Sequence, residues 1–401
     1  MSDKSTKGID RRDLLMASIA TVGASAVLAI NAGAANAQDT AAPSADQAQG
    51  GPLGTVYTGD VIQGKKVVSA LDVNDLEPGK KHLLYFQGVQ MPTGQHWYVS
   101  VIVAKGAKPG KRFTLTSGVH GDEMSSIRTV QTIMEQLDPA QMSGTVMAVL
   151  DIARPALESM QRRWPNSGRG IDLIDMNREW PGIENGTTAS SRHAGILFNR
   201  LLKPNSDLAI DFHTGTTGLE CDAFIIGDRT LPDVKAMLEL YPVPLIWDNP
   251  AYPGVLHNAF VDAGIPSFCP EIGAARVLNL ELIQTFVEGT INVLKHYGII
   301  AGPIGRTAAD VDAFIANSAF PVLATQGGFV EHLVKLNAKV TAGQKLVVQR
   351  NTFGEVVAEY TSGVDGMVGA IRSDVTSEPG NVLMFISFNH APSEGEGDYP
   401  E

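Results

Sequence analysis

Four short segments hold residue types suited to hydrolytic chemistry, and each follows or closes an apolar run. The first is Ser117-Gly118-Val119-His120-Gly121-Asp122-Glu123. Its H-x-x-E spacing lets His120 and Glu123 reach one point from a loop and the first turn of a helix. Imidazole nitrogen and carboxylate oxygen are both good zinc donors at about 2.0–2.2 Å. The second, Ile210-Asp211-Phe212-His213-Thr214-Gly215, ends a strand in His213, a candidate third ligand. Two imidazoles and one carboxylate with room for solvent make a catalytic zinc arrangement rather than a structural one. Strand alternation puts Asp211 on the face of His213, where it would orient the imidazole; a strand-end charge paired with Lys or Arg is the alternative.

The third segment, Cys269-Pro270-Glu271-Ile272-Gly273, places a carboxylate at the end of an apolar run. Glu271 is well placed as a general base, against the alternative of a surface Glu at a sheet edge. The fourth is Asp175-Met176-Asn177-Arg178-Glu179-Trp180-Pro181-Gly182. Asn177 and Arg178 offer an amide and a planar fork suited to gripping a substrate carboxylate. Upstream lie Arg154, Arg162, Arg163 and Arg169. One of these is a candidate to stabilise an oxyanion, while ordinary surface solvation accounts for most of them.

These residues need a rigid frame, and the flanking pattern supplies one. Between about 81 and 300, short apolar runs alternate with helical stretches. Strands are predicted at 82–86, 97–104, 112–118, 145–151 and 208–213, with further ones at 223–227, 244–247 and 267–273. Helices are predicted over 122–136, 190–202, 231–240, 256–263 and 278–297. Continuous apolar strands separated by helices imply an α/β fold whose mixed, mostly parallel sheet carries helices on both faces. All four segments then fall at strand ends, where such sheets place their sites. After Pro303 the signature changes to short Val-rich strands with many glycines, which predicts a small all-β, barrel-like domain built of hairpins.

In this order, HGDE, DMNREWPG, DFHTG and PEIG resemble the succinylglutamate desuccinylase/aspartoacylase family, a branch of the zinc carboxypeptidase fold. The resemblance covers about residues 81–300, and the β module is similar to the barrel-like carboxyl-terminal domain of many members. It implies that His120, Glu123 and His213 bind one Zn2+ per chain. It implies that Glu271 deprotonates water and returns the proton to the leaving amine. It implies that Asn177 and Arg178 bind a substrate carboxylate. The family's oxyanion arginine falls on no single position. Arg154 lies in Ile152-Ala153-Arg154-Pro155, where the family often has Asn-Pro-Arg. Arg154 and Arg163 are the favoured candidates, with Arg162 as an alternative. The implied activity is zinc-dependent cleavage of the amide bond in a small N-acyl amino acid or similar carboxylate-bearing substrate. The alternative is an exported zinc carboxypeptidase acting on peptides or cell-wall peptides.

The remaining composition bounds the context. The 401 residues are 44% hydrophobic and 18% charged, with a formal net charge of −12. That acidic balance disfavours nucleic acid and anionic membrane as partners. Arg11-Arg12, an Ala-rich apolar run over 14–30 and Ala35-Asn36-Ala37 read as a twin-arginine export signal cleaved near Ala37. The predicted organisation is a signal at 1–37, a flexible leader at 38–53, a catalytic domain at 54–302, the β domain at 303–390 and an acidic tail at 391–401. The expected location is periplasmic or secreted, without membrane association beyond the signal and with a homo-oligomer as an open alternative. Only Cys221 and Cys269 are present, too few for a thiolate zinc site; two buried free thiols are expected rather than a disulfide. His257 is read as a packed or surface histidine, with pocket lining as the alternative. Trp164 and Trp180 fit either a pocket wall or ordinary core packing.

Overall fold

The computed structural model describes residues 54–165, 173–249 and 252–390. The expected export signal, the leader, the acidic tail and Arg169 lie outside them. The main sheet contains β1 (Val56–Ile62), β2 (Lys65–Ala70), β3 (Lys80–Gln90), β4 (His96–Lys105), β5 (Lys108–Thr116), β6 (Ser143–Val149) and β7 (Leu208–Asp211). A short strand outside it, β8 (Leu219–Cys221), is followed by β9 (Ala223–Gly227), β10 (Leu245–Asp248), β11 (Ser267–Ile272) and β12 (Phe314–Ala316). The order across the sheet is β1-β2-β3-β4-β6-β5-β7-β11-β9-β10-β12. Six of its ten pairings are parallel and four antiparallel. This is the mixed, mostly parallel α/β sheet expected.

The centre of the sheet is buried on both faces. In β5, Phe113 and Leu115 face one side while Thr114 and Thr116 fill the other, all without exposure. The helix Met124–Gln136 covers one face through Val130, Ile133 and Met134, the i, i+3, i+4 spacing of an apolar stripe. The helix Leu280–His296 packs in the same layer through Ile283, Phe286 and Val287. Ala189–Leu197 and Leu256–Asp262 cover the opposite face, joining a second core with Phe86 and Phe260. The helix expected over 190–202 keeps α geometry only to Leu197 and continues as a wider π-type turn over Phe198–Leu202.

Register positions the site. Thr116 at the end of β5 pairs with Asp211 at the end of β7. Strand β11 runs parallel on the far side of β7, and its Glu271 bridges to His213 just past β7. Three parallel neighbours therefore discharge their chemistry-bearing residues at one carboxyl edge.

The carboxyl-terminal strands are β13 (Ser318–Leu323), β14 (Gly328–His332), β15 (Lys339–Val340), β16 (Lys345–Arg350), β17 (Val356–Thr361), β18 (Gly366–Arg372), β19 (Thr376–Ser377) and β20 (Val382–Phe388). They form two small sheets, β13-β20-β18-β15 and β17-β16-β14-β19, around Val322, Leu346, Val368, Leu383 and Ile386. The β-rich module expected from the glycines and valines is present. An unanticipated contact ties it to the segment that follows β7: β8 pairs antiparallel with β18, with Cys221 opposite Ala370 and Leu219 opposite Arg372. Ser373 donates its backbone N–H to the Gly218 carbonyl at 3.1 Å.

Candidate metal centre

His120 and Glu123 occupy the turn between β5 and the helix Met124–Gln136. Glu123 stands at the N-cap of that helix but makes no cap hydrogen bond with its side chain, which leaves the carboxylate to face the cleft. The turn is possible because residue 121 is glycine. A Cβ there would lie 2.0 Å from the Ala156 carbonyl carbon and 2.1 Å from the Leu157 nitrogen. Close approach of the helix Arg154–Glu158, rather than backbone freedom, is what demands the glycine. Gly121→Ala is therefore expected to cost at least about 1–3 kcal/mol of stability and to weaken metal affinity. A denaturant melt unchanged from wild type would refute that account of the turn.

His120 Nδ1 lies 2.6 Å from Glu123 Oε1, and His213 Nδ1 lies 2.9 Å from Glu123 Oε2. The two Nδ1 atoms face each other at 3.2 Å. All three residues are at least 98% buried. Their opposite edges are fixed by carboxylates: His120 Nε2 is 3.0 Å from Asp175 Oδ1, and His213 Nε2 is 2.9 Å from Asp211 Oδ2. An imidazole donating Nε2–H to a carboxylate presents a lone pair on Nδ1. Two such lone pairs 3.2 Å apart repel each other, yet they are spaced as two ligands of one tetrahedral ion would be, about 3.4 Å for bonds near 2.1 Å. The donor set fits a divalent cation. Asp211 is in turn held by Thr116 Oγ1 at 2.7 Å, the outer support such ligands need. Asp211 is thus a partner of His213, not of a Lys or Arg.

The electrostatics agree. Burial alone would raise the Glu123 carboxyl, but the facing imidazoles of His120 and His213 hold it below the ordinary range. Burial alone would depress His213, but Asp211 and Glu123 raise it well above the ordinary imidazole value. The Asp175 carboxyl is also lowered despite burial, through its hydrogen bond to His120 and the charges of His120, Arg162 and Arg178. Glu271, beside His213, is pushed up to about 8 by burial, with the Glu123 and Asp211 charges adding to the effect. Its Oε2 is enclosed without a hydrogen-bond partner.

The arginines sort differently from expectation. Arg154 donates to Glu158 Oε1 at 3.1 Å and to the Tyr98 carbonyl at 3.0 Å, and Arg163 is exposed. The structure brings neither to the cluster. It brings Arg162 instead, with Nη1 3.1 Å from Glu123 Oε1 and Nε 3.2 Å from Asp175 Oδ2. Adjacent arginines in an irregular stretch point different ways, and no periodicity distinguishes them. Asp175, quoted in its segment without a role, is the link between His120 and Arg162.

Asn177 is buried, its Oδ1 accepting from the Leu256 amide at 2.9 Å and its Nδ2 3.4 Å from His213 Nε2. Arg178 is exposed and lies over the Tyr252 ring, 5.0 Å from its centroid. His257, expected to be packed or at the surface, is buried, and neither ring nitrogen has a hydrogen-bond partner. Trp164 packs in the core, edge-on to Trp97. Cys221 and Cys269 are free and buried.

Comparison with known proteins follows the same lines. The succinylglutamate desuccinylase/aspartoacylase catalytic domain matches residues 109–297. An N-alpha-acetyl-L-2,4-diaminobutyric acid deacetylase from Halomonas elongata is 25% identical over 290 residues, covering 69% of this chain and 82% of that protein. Among solved structures, a succinylglutamate desuccinylase from Silicibacter sp. TM1040 superposes with a TM-score of 0.68 at 21% identity, over 78% of this chain and 96% of the other. The product-bound ectoine utilization protein EutE (DoeB) from Ruegeria pomeroyi gives 0.68 at 20% identity, over 78% and 96%. These two likenesses establish the fold. The catalytic-domain match spans β5 through the helix Leu280–His296, so the stretch that builds the His-Glu-His cluster is the stretch that matches the succinylglutamate desuccinylase/aspartoacylase catalytic domain.

Proposed function

We propose that the protein is a zinc-dependent deacylase that hydrolyses the amide bond of a small N-acyl amino acid. The observation that carries this reading is the convergence of His120 Nδ1, His213 Nδ1 and the Glu123 carboxylate, each imidazole backed by its own carboxylate. A Zn2+ held there would supply a Lewis acid for the acyl oxygen and lower the pKa of water toward ~7.

The chain's own residues do the rest. Glu271 Oε2, enclosed and without a partner, accepts the proton of the attacking water and returns it to the departing amine nitrogen. Arg162, braced by Glu123 and Asp175, holds the developing negative charge on the acyl oxygen. Arg178, steadied over Tyr252, grips the substrate carboxylate together with Asn177, which is anchored through Leu256. This two-point hold orients the scissile bond. The acyl-amino-acid substrate class is supported by the deacetylase relative.

The test is a panel of N-acetyl-L-2,4-diaminobutyrate, N-acetyl-L-aspartate, N-succinyl-L-glutamate and dipeptides, with and without chelator. Hydrolysis of an N-acyl amino acid that stops on chelation and returns with zinc is expected. Turnover confined to dipeptides, or indifferent to chelator, would overturn the reading. On the preferred substrate, Arg162→Ala should lose roughly 10²-fold in kcat. Arg154→Ala and Arg163→Ala, which remove groups outside the cluster, should stay within a few-fold of wild type. An Arg154→Ala defect as large as that of Arg162→Ala would return the oxyanion role to Arg154.

A further inference from the structure

His257 lies in the first turn of the helix Leu256–Asp262, on the segment that walls the Asn177–Arg178 side of the cleft. Four contacts fix that wall. The Leu256 amide donates to Asn177 Oδ1 at 2.9 Å. Tyr252 lies under the Arg178 guanidinium. The Gly254 carbonyl accepts from the Trp180 amide at 3.1 Å. Gly254 also has φ +95°, and a Cβ on it would meet the Arg178 carbonyl oxygen at 2.7 Å. Within this packed wall the His257 ring is 93% buried, yet both Nδ1 and Nε2 lack a hydrogen-bond partner. The other buried histidine outside the cluster, His193, faces the Val89 amide with Nδ1 and the Ile152 carbonyl with Nε2.

Enclosing a polar ring with neither nitrogen satisfied is costly unless a further group completes it. The adjoining Leu256 amide holds Asn177, whose Nδ2 lies 3.4 Å from His213 Nε2, so this turn of the helix sits beside the cluster and not at a remote surface. We propose that His257 is a substrate-contacting specificity residue, whose acceptor ring nitrogen takes a hydrogen bond from a hydroxyl, amide or ammonium group on the side chain of the substrate's amino-acid portion. The assignment rests on the deacylase reading for its substrate class. Burial holds the imidazole near pKa 4, so the ring is neutral and offers one donor and one acceptor. A side chain that can donate a hydrogen bond satisfies the ring's acceptor nitrogen. A carboxylate, which only accepts, leaves that nitrogen unmatched.

Calorimetric titration of the zinc-loaded protein with free amino acids tests this without turnover. The probes are L-2,4-diaminobutyrate and L-homoserine, against L-2-aminopentanoate, which has the same length and no polar tip. Wild type should bind at least one polar probe roughly 10- to 100-fold more tightly than the apolar one. His257→Phe should compress that preference to within about threefold while leaving zinc content and affinity for the apolar probe unchanged. His257→Gln, which keeps a donor and an acceptor, should restore most of the preference and guards against a folding defect in the Phe variant. The proposal is overturned by a wild type that shows no preference or binds none of the probes. It is equally overturned if His257→Phe keeps the preference or loses affinity for all three probes alike. Failure of the deacylase reading has a different signature: discriminating amino-acid binding with no hydrolysis of the N-acetyl forms.

Discussion

Glu271→Gln should retain one zinc per chain and lose roughly 10²–10⁴-fold in kcat. The substitution is nearly isosteric and keeps the position beside His213 on β11, so the cluster has no reason to disassemble. It removes the carboxylate beside His213 whose enclosed Oε2 has no other partner and which can therefore take and return a proton. KM should change little, because Glu271 makes no ion pair that orients substrate. Metal analysis with steady-state kinetics separates the outcomes. Loss of zinc would make Glu271 part of the metal shell, and full activity would remove it from the mechanism. A metal-dependent binding protein without turnover predicts no change in either quantity.

His213→Ala should abolish stoichiometric zinc binding and, with it, measurable turnover. In wild type, an ion that binds only the folded chain stabilises it by RT ln(1 + [L]/Kd), about 4 kcal/mol at a thousandfold excess over Kd. A zinc-dependent rise in Tm is therefore expected for wild type and should be absent in the variant. The metal-free variant should also melt lower than metal-free wild type. Removing the imidazole leaves the buried Asp211 and Glu123 carboxylates without the partner lying 2.9 Å from each, and breaking a buried pair costs about 3–5 kcal/mol. Differential scanning fluorimetry with and without zinc reads both effects. An equal zinc-dependent shift in the variant would place the ion elsewhere.

Much of this site was legible before the structure because it follows from strand ends. His120, His213 and Glu271 each terminate or follow an uninterrupted apolar run, and a parallel sheet gathers such ends at one edge. Asp211 was legible through alternation as a partner of His213, with a Lys or Arg as the alternative, whereas its second support, Thr116, was not. What the pattern lacked were residues outside regular elements. Arg162 stands in an irregular stretch next to Arg163, where the direction of a side chain depends on tertiary contacts. His257 sits in a helix whose amphipathic pattern treats any buried position alike. Strand β1 was missed because it is almost wholly exposed and carries no apolar face to announce itself. Strand β8, three residues long, exists only because β18 pairs with it.

That last pairing reaches beyond the static architecture. The loop that follows His213 is edged by a strand whose partner lies about 150 residues later, at 366–372. During vectorial synthesis His120, Glu123 and His213 emerge well ahead of that partner. The loop beside them gains its final brace only when residues 366–372 have left the ribosome. Completion of the centre in this sense waits on a strand far downstream, and a nascent chain arrested before β18 would hold its histidines next to an unbraced loop.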